Sequence, residues 1–147
     1  MRLLAAVTTI ALAAGLTVAS AQEVAPPDIT GVWSGPFKTV IFGHNSHHPG
    51  TETLAQPPRV REIAFTMAFE GQDGIVTWGH SWSDPARKEP FAIAFGPDGK
   101  TGMGADTDGS LSVTLTGPGR MEVCYAHTGL SPSQAIVASC GVLTKAP

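Results

Sequence analysis

The chain has 147 residues, a formal charge of −3, 42% hydrophobic side chains, and no basic run longer than Arg87-Lys88. That balance excludes a general binder of nucleic acid or anionic membranes, which needs a concentrated positive face. Seventeen glycines and twelve prolines divide the chain into short pieces that alternate with a period of two, so an all-β fold is expected.

At the N-terminus Arg2 precedes an apolar run, Leu3 to Val18, that carries no charge and ends in Ala19-Ser20-Ala21. The run is short for a membrane span, and no basic stop-transfer flank follows it. Residues 1–21 are therefore expected to be a signal peptide cleaved after Ala21, with residues 22–147 forming a single β-barrel domain. Taking the leader's 21 residues from 147 leaves 126, enough for one modest core. Loss of Arg2 moves the charge from −3 to −4, since every acidic residue lies downstream. No second apolar span follows, so the mature chain is expected to have no membrane span and to be periplasmic or secreted, with a bacterial look.

The first strand is expected near Ile29 to Phe42, bent at Gly35-Pro36, followed by a long irregular segment over 43–58. In RVREIAFTMAFE, Ile63, Phe65, Met67 and Phe69 share one face. The turn Gly71-Gln72-Asp73-Gly74 leads into GIVTWGHSWS, where Val76, Trp78, His80 and Trp82 share a face. Phe91, Ile93 and Phe95 alternate with alanines, Lys100 to Ala105 forms a short strand, and Leu111, Val113 and Leu115 alternate with Ser and Thr. Met121, Val123 and Tyr125 precede the loop GLSPS, and a last strand runs from about Gln134 to Lys145. About eight strands at roughly ten-residue spacing, joined by tight turns, predict an antiparallel up-and-down barrel, because closure removes exposed edges.

The two cysteines, Cys124 and Cys140, are equidistant from Pro132 at the centre of GLSPS. Partners in an antiparallel hairpin are equidistant from its turn, so the two should face each other, and an oxidising compartment favours one disulfide. The same register sets Met121 opposite Leu143 and Tyr125 opposite Ser139, with these odd-numbered positions inward and the disulfide on the outer face.

Trp78, His80 and Trp82 form the most informative constellation. Turned inward, they place an imidazole between two indoles, a pocket with stacking surfaces and one polar group. Turned inward but tightly packed, they are core with one satisfied histidine. Turned outward, they are a patch for a protein or carbohydrate partner. In GHNSHHPG, three of the five histidines cluster. His44, His47 and His48 could take zinc or copper, respond to pH near 6, or be a solvated polar loop. Asp106-Thr107-Asp108-Gly109 begins like a calcium loop but lacks the later ligands, and Asp-Gly is first a hairpin turn. No G-x-S-x-G, H-E-x-x-H or phosphate-binding loop occurs, and no cofactor is expected. His80 or His127 could act as a base with an acid from another strand, but the linear order does not pair them.

The segment DITGVWSG resembles the opening motif of calycins, the lipocalin and avidin-like barrels, through Gly31 and Trp33. That resemblance implies a tryptophan plugging one end of an eight-stranded barrel. The arginine that lipocalins place on this tryptophan is absent, with Lys145 alone available, and so is their C-terminal helix, so avidin-like or simpler exported barrels fit better. EVCYAHTG followed by VASCGVLTK also resembles small exported bacterial proteins. The architecture is similar to the small periplasmic inhibitors of secreted metalloproteases, which use an N-terminal arm, here Gln22 to Asp28. The expected function is a binding module for a small apolar or aromatic ligand near Trp33, Trp78, His80, Trp82, Phe91 and Tyr125. The alternatives are a protein partner held through the arm, or weak metal binding by the histidine loop.

Overall fold

A computed structural model describes residues 24–44, 48–128 and 135–147 of the chain. The expected leader and its cleavage point, Gln22, Glu23, His47, the GLSPS turn and Gln134 lie outside them. Eight strands follow in order: β1 (Gly31–Phe42), β2 (Arg59–Asp73), β3 (Val76–Trp82), β4 (Glu89–Phe95), β5 (Thr101–Ala105), β6 (Ser110–Gly117), β7 (Arg120–Thr128) and β8 (Ile136–Lys145). Each pairs antiparallel with the next, and β8 returns to β1, so the sheet is a closed barrel. No helix among the described residues is long and apolar enough to cross a membrane.

The period-two pattern accounts for the closure. On β2, β4, β6 and β7 every second residue is large and apolar, and these residues fill the lumen: Met67, Phe69, Phe91, Ile93, Phe95, Leu111, Val113, Met121 and Val123 are all buried. Burial of each such side chain is worth about 1.5–3 kcal/mol, and a closed barrel offers every strand the same interior. Cys124 and Cys140 face each other across β7 and β8 with their Cα atoms 4.1 Å apart and form the disulfide. Met121 pairs with Leu143 and Tyr125 with Ser139. The cysteines fall between these inward positions, so the bridge lies on the outer face.

On β3 the expected inward face is overturned. Thr77, Gly79 and Ser81 point inward and are buried, whereas Trp78, His80 and Trp82 point outward, Trp78 with 47% of its surface exposed. The cause is a bulge in β2. Phe69 pairs with Gly79, but Gly71 pairs with Trp78, so Glu70 is an extra residue without a place in the ladder. The two-residue turn between Asp73 and Val76 would by itself have set Trp78 against the inward set of β2. One extra residue inverts the parity, as bulges do. Gly71 makes the inversion tolerable, since a β-carbon there would lie 2.2 Å from Cζ2 of Trp78, whose ring covers it. Inside, the small residues of β3 leave room for Phe69 and Phe91, which meet edge-on with centroids 5.0 Å apart.

The described part of the N-terminal arm does not project. The Val24 amide donates to the Pro97 carbonyl at 3.2 Å. The Gln72 side-chain amide donates to the carbonyls of Pro26 (3.4 Å) and Pro27 (3.3 Å), and its oxygen accepts from the Ile29 amide at 3.1 Å. These bonds lay the arm along one end of the barrel.

Candidate functional site

The barrel has two differently finished ends. One is formed by the start of β1 and the turns β2–β3, β4–β5 and β6–β7. There Trp33 is buried and plugs the lumen, its indole Nε1 donating to the Ile29 carbonyl at 2.8 Å. Phe69 packs against it with centroids 6.3 Å apart, and the Lys145 ammonium sits 5.8 Å from its ring centroid. Lys145 therefore covers the indole from the last strand. Trp33 and Phe91 both belong to this packed column of aromatics.

The opposite end, where β1 leaves the barrel, is open among the described residues. Buried polar side chains gather in the lumen below it: Thr39, Ser81, Ser139 and His127, with the Ser139 hydroxyl donating to that of Thr39 at 2.9 Å. A recess of about 480 Å³ opens at this end beside Ser81, walled by His48, Arg61, Ile63, Phe65, Trp82 and Glu89. Arg61 projects inward from β2 between the levels of Phe65 and Arg59. Its Nε is buried and has no hydrogen-bond partner among the described residues. Burial, followed by the neighbouring Arg59 charge, holds the guanidinium below its ordinary pKa, so an anion at this point would relieve an unsatisfied donor. Trp82 forms part of the rim, with the Lys88 ammonium 4.5 Å from its ring centroid.

Across the mouth the β5–β6 turn carries acidic groups. Asp106 accepts from the amides of Asp108 (3.2 Å) and Gly109 (2.7 Å), which is the Asp-Gly turn chemistry expected from sequence. That turn also aims Asp108 at β7. The Tyr125 hydroxyl donates to Asp108 Oδ1 at 2.8 Å and lies 3.4 Å from His48 Nε2. Nδ1 of His127 is 2.6 Å from the Asp108 carbonyl oxygen and 3.4 Å from its Oδ2. A neutral His127 therefore carries its proton on Nδ1 and donates it to that carbonyl. Gly109 permits the approach, since a β-carbon there would lie 2.3 Å from Cε2 of Tyr125. Burial, then the charge of Asp106 and the hydrogen bond and charge of Asp108, push the Tyr125 phenol well above its ordinary pKa, so it remains a donor. Asp106 is itself raised, mainly by burial and further by the Asp108 charge, against the opposing pull of the two amides.

His48 reaches this network because the residues that follow it, Pro49 to Thr51, return to the end of β1. His44 and Pro49 form a single bridge, and the Gly43 amide donates to Thr51 Oγ1 at 2.8 Å. The His48 ring lies 5.7 Å from Tyr125 and 5.3 Å from His127, centroid to centroid. His44 is exposed and joins no cluster of ligating groups among the described residues.

Of the expected ligand residues, Tyr125 and Trp82 stand at the open mouth, Trp33 and Phe91 in the core, and Trp78 and His80 on the outer wall. His80 there meets Glu70, Nδ1 to Oε1 2.8 Å. Trp78, Val76 and Met103 line an exposed apolar strip across β3 to β5. The pairing of bases with acids, open in the linear order, is His127 with Asp108 and His80 with Glu70. Arg61, Ser81 and Glu89 were not singled out from sequence, and Asp108 was assigned to a hairpin turn rather than to a site. For Asp108 a signal existed: the inward parity of Met121, Val123 and Tyr125 continues to His127, and the turn that carries Asp108 faces it. The chain matches no family model, no curated protein and no solved structure, so the mouth is interpreted from its own residues.

Proposed function

We propose that this chain is an exported β-barrel binding module for a small ligand with an aromatic or apolar body and one anionic group, held in the open mouth. The observation that carries this reading is Arg61. Its buried, unpartnered Nε stands in a recess of about 480 Å³ whose other walls include Phe65 and Trp82. An apolar pocket with a few convergent polar groups is the usual form of a small-molecule site. A carboxylate or sulfonate satisfies the guanidinium in the geometry that this group favours, while its ring lies against Phe65 and Trp82. Export is supported by the leader pattern of residues 1–21 and by the Cys124–Cys140 disulfide, whose formation suits an oxidising compartment. The Gly31 and Trp33 resemblance to calycins supports a barrel that binds through one open end.

The test uses anilinonaphthalene sulfonate, an aromatic anion whose fluorescence rises on desolvation. Arg61→Met keeps the apolar stem and should weaken binding about tenfold or more, the equivalent of losing one charged hydrogen bond. Trp78→Ala, on the outer wall, should leave binding unchanged. Equal affinity in Arg61→Met, or loss in Trp78→Ala, refutes the mouth as the site.

A further inference from the structure

We propose that His48, Asp108 and His127 form a divalent metal site of the zinc type at the rim of the open mouth. One ligating atom from each of the three lies within 4.8 Å of the other two. In a tetrahedral zinc site with bonds near 2.0–2.1 Å the ligand atoms stand about 3.3 Å apart, so small rotations complete the set. The donors suit such an ion. Two imidazoles and one carboxylate are borderline-soft nitrogen and oxygen ligands, and a three-ligand set leaves one position for water or for a ligand's anionic group.

The supporting contacts are those that metal sites use. His127 is 3% exposed, and its ring is fixed by the 2.6 Å contact of Nδ1 with the Asp108 carbonyl oxygen. Such a second contact sets the tautomer and orientation of a ligating imidazole. Tyr125 donates to Asp108 Oδ1 at 2.8 Å and so orients the carboxylate from the outer shell. His48 enters from the loop, where its side chain can adjust to an arriving ion. A second group overlaps the first: Glu89, Asp106 and Asp108 also offer atoms within 4.8 Å of one another. Three carboxylates so close repel, and a dication bound at the shared Asp108 offsets that repulsion. Of the histidine cluster visible in the sequence, His48 is the one that joins a ligating group among the described residues. The other two come from a turn and a strand more than fifty residues downstream.

This site adjoins the aromatic-anion recess, which His48 also lines, but Asp108 and His127 do not line it and none of the three ligands is Arg61. The test is zinc titration of the chelator-stripped protein against a chromophoric competitor, with cobalt absorption reporting tetrahedral coordination. The wild type should bind one zinc per chain with micromolar or tighter affinity. Asp108→Asn, which keeps an acceptor for Tyr125, and His48→Ala, on the loop, should each weaken it roughly a hundredfold, close to 3 kcal/mol. His44→Ala should bind as the wild type does. Circular dichroism confirms that each variant retains the barrel, and the loop position of His48 keeps the test valid if Asp108→Asn does not. Millimolar binding by the wild type overturns the proposal. So does wild-type affinity in both Asp108→Asn and His48→Ala, or a loss in His44→Ala as large as theirs. An unchanged response to anilinonaphthalene sulfonate in Asp108→Asn, whose residue does not line the recess, keeps the two readings separate.

Discussion

At the Trp33 end of the barrel an indole, backed by a lysine stem and the returning N-terminal segment, plugs the lumen beneath an apolar recess of about 520 Å³ lined by Ile29, Trp33 and Leu115. At the other end Arg61, Arg87, His48, Asp84 and Glu89 line a recess, and Asp106, Asp108 and His127 cluster with His48 and Glu89 beside it. The same eight strands run through both, so the fold does not explain the difference; the side chains at the strand ends do. The plugged end follows the rule for a core: large apolar groups, polar atoms paired with backbone and, among the described residues, no buried side-chain donor left unsatisfied. The open end departs from it with a buried, unpartnered Arg61 Nε and with Asp106, whose carboxyl is raised by burial and further by the Asp108 charge. Departures of this kind concentrate at functional sites, since a core gains nothing from them.

The sharpest way to break the comparison is to exchange a tryptophan at each end for alanine. Trp33→Ala removes a 2% exposed side chain together with its bond to the Ile29 carbonyl, and it should cost about 3–5 kcal/mol in urea denaturation. Trp82→Ala removes a half-buried rim residue and should cost under about 1.5 kcal/mol, a surface-scale loss, while weakening anilinonaphthalene sulfonate. Comparable destabilisation by the two would mean that the open end is core as well.

The architecture was legible because its signals are local. Alternation on β2, β4, β6 and β7, Asp-Gly turns and the symmetry of Cys124 and Cys140 about Pro132 each depend on a few neighbouring residues. The orientation of β3 was not legible, because it depends on one extra residue in its partner strand. The big side chains of Trp78 and Trp82 looked like core, and the small Thr77, Gly79 and Ser81 looked like surface. The bulge at Glu70 and the aromatic bulk of Phe69 and Phe91 made the opposite assignment the compact one. The mouth was partly legible. Tyr125 and His48 were marked by residue type, but their meeting with Asp108 is a tertiary contact spanning the loop after β1, the β5–β6 turn and β7.

A smaller perturbation addresses only the open end. In Gly109→Ala the new methyl would meet the Tyr125 ring, 2.3 Å from Cε2, and the ring or the turn must move. Overpacking of this kind should cost about 1–3 kcal/mol. It should also separate Tyr125 from Asp108, so zinc affinity should fall in the titration described above. If stability falls and zinc binding does not, the Tyr125 to Asp108 bond has no part in orienting the carboxylate.

The smallest effect is also the most diagnostic, since it gives opposite signs at the two ends. Asp98, in the β4–β5 turn of the plugged end, accepts from the amides of Lys100 and Thr101 and from the Thr101 hydroxyl. The hydroxyl first, then these amides, lower its pKa from 3.8 to about 2. A depressed carboxylate contributes stability above its unfolded pKa and loses it as pH falls through the folded one, here between about 4 and 2. Asp98→Asn should therefore lower the melting temperature at pH 7, with the difference closing across that acidic window. Asp106, in the β5–β6 turn of the open end, is raised above 3.8 by burial and by Asp108. Its protonated form is the favoured one in the fold, so its contribution is full below the unfolded pKa and is lost as pH rises through the folded value. Asp106→Asn keeps an oxygen for the amides of Asp108 and Gly109 and removes the charge. In the presence of chelator it should match or exceed the wild-type melting temperature at pH 7, and the gain should vanish as pH falls below about 4, the ordinary range of a free carboxyl. Melting curves of both variants from pH 2 to 7 check the pair. Parallel shifts of the same sign would show that the acids at the open mouth are ordinary turn residues, and the contrast between the two ends would then rest on Arg61 alone.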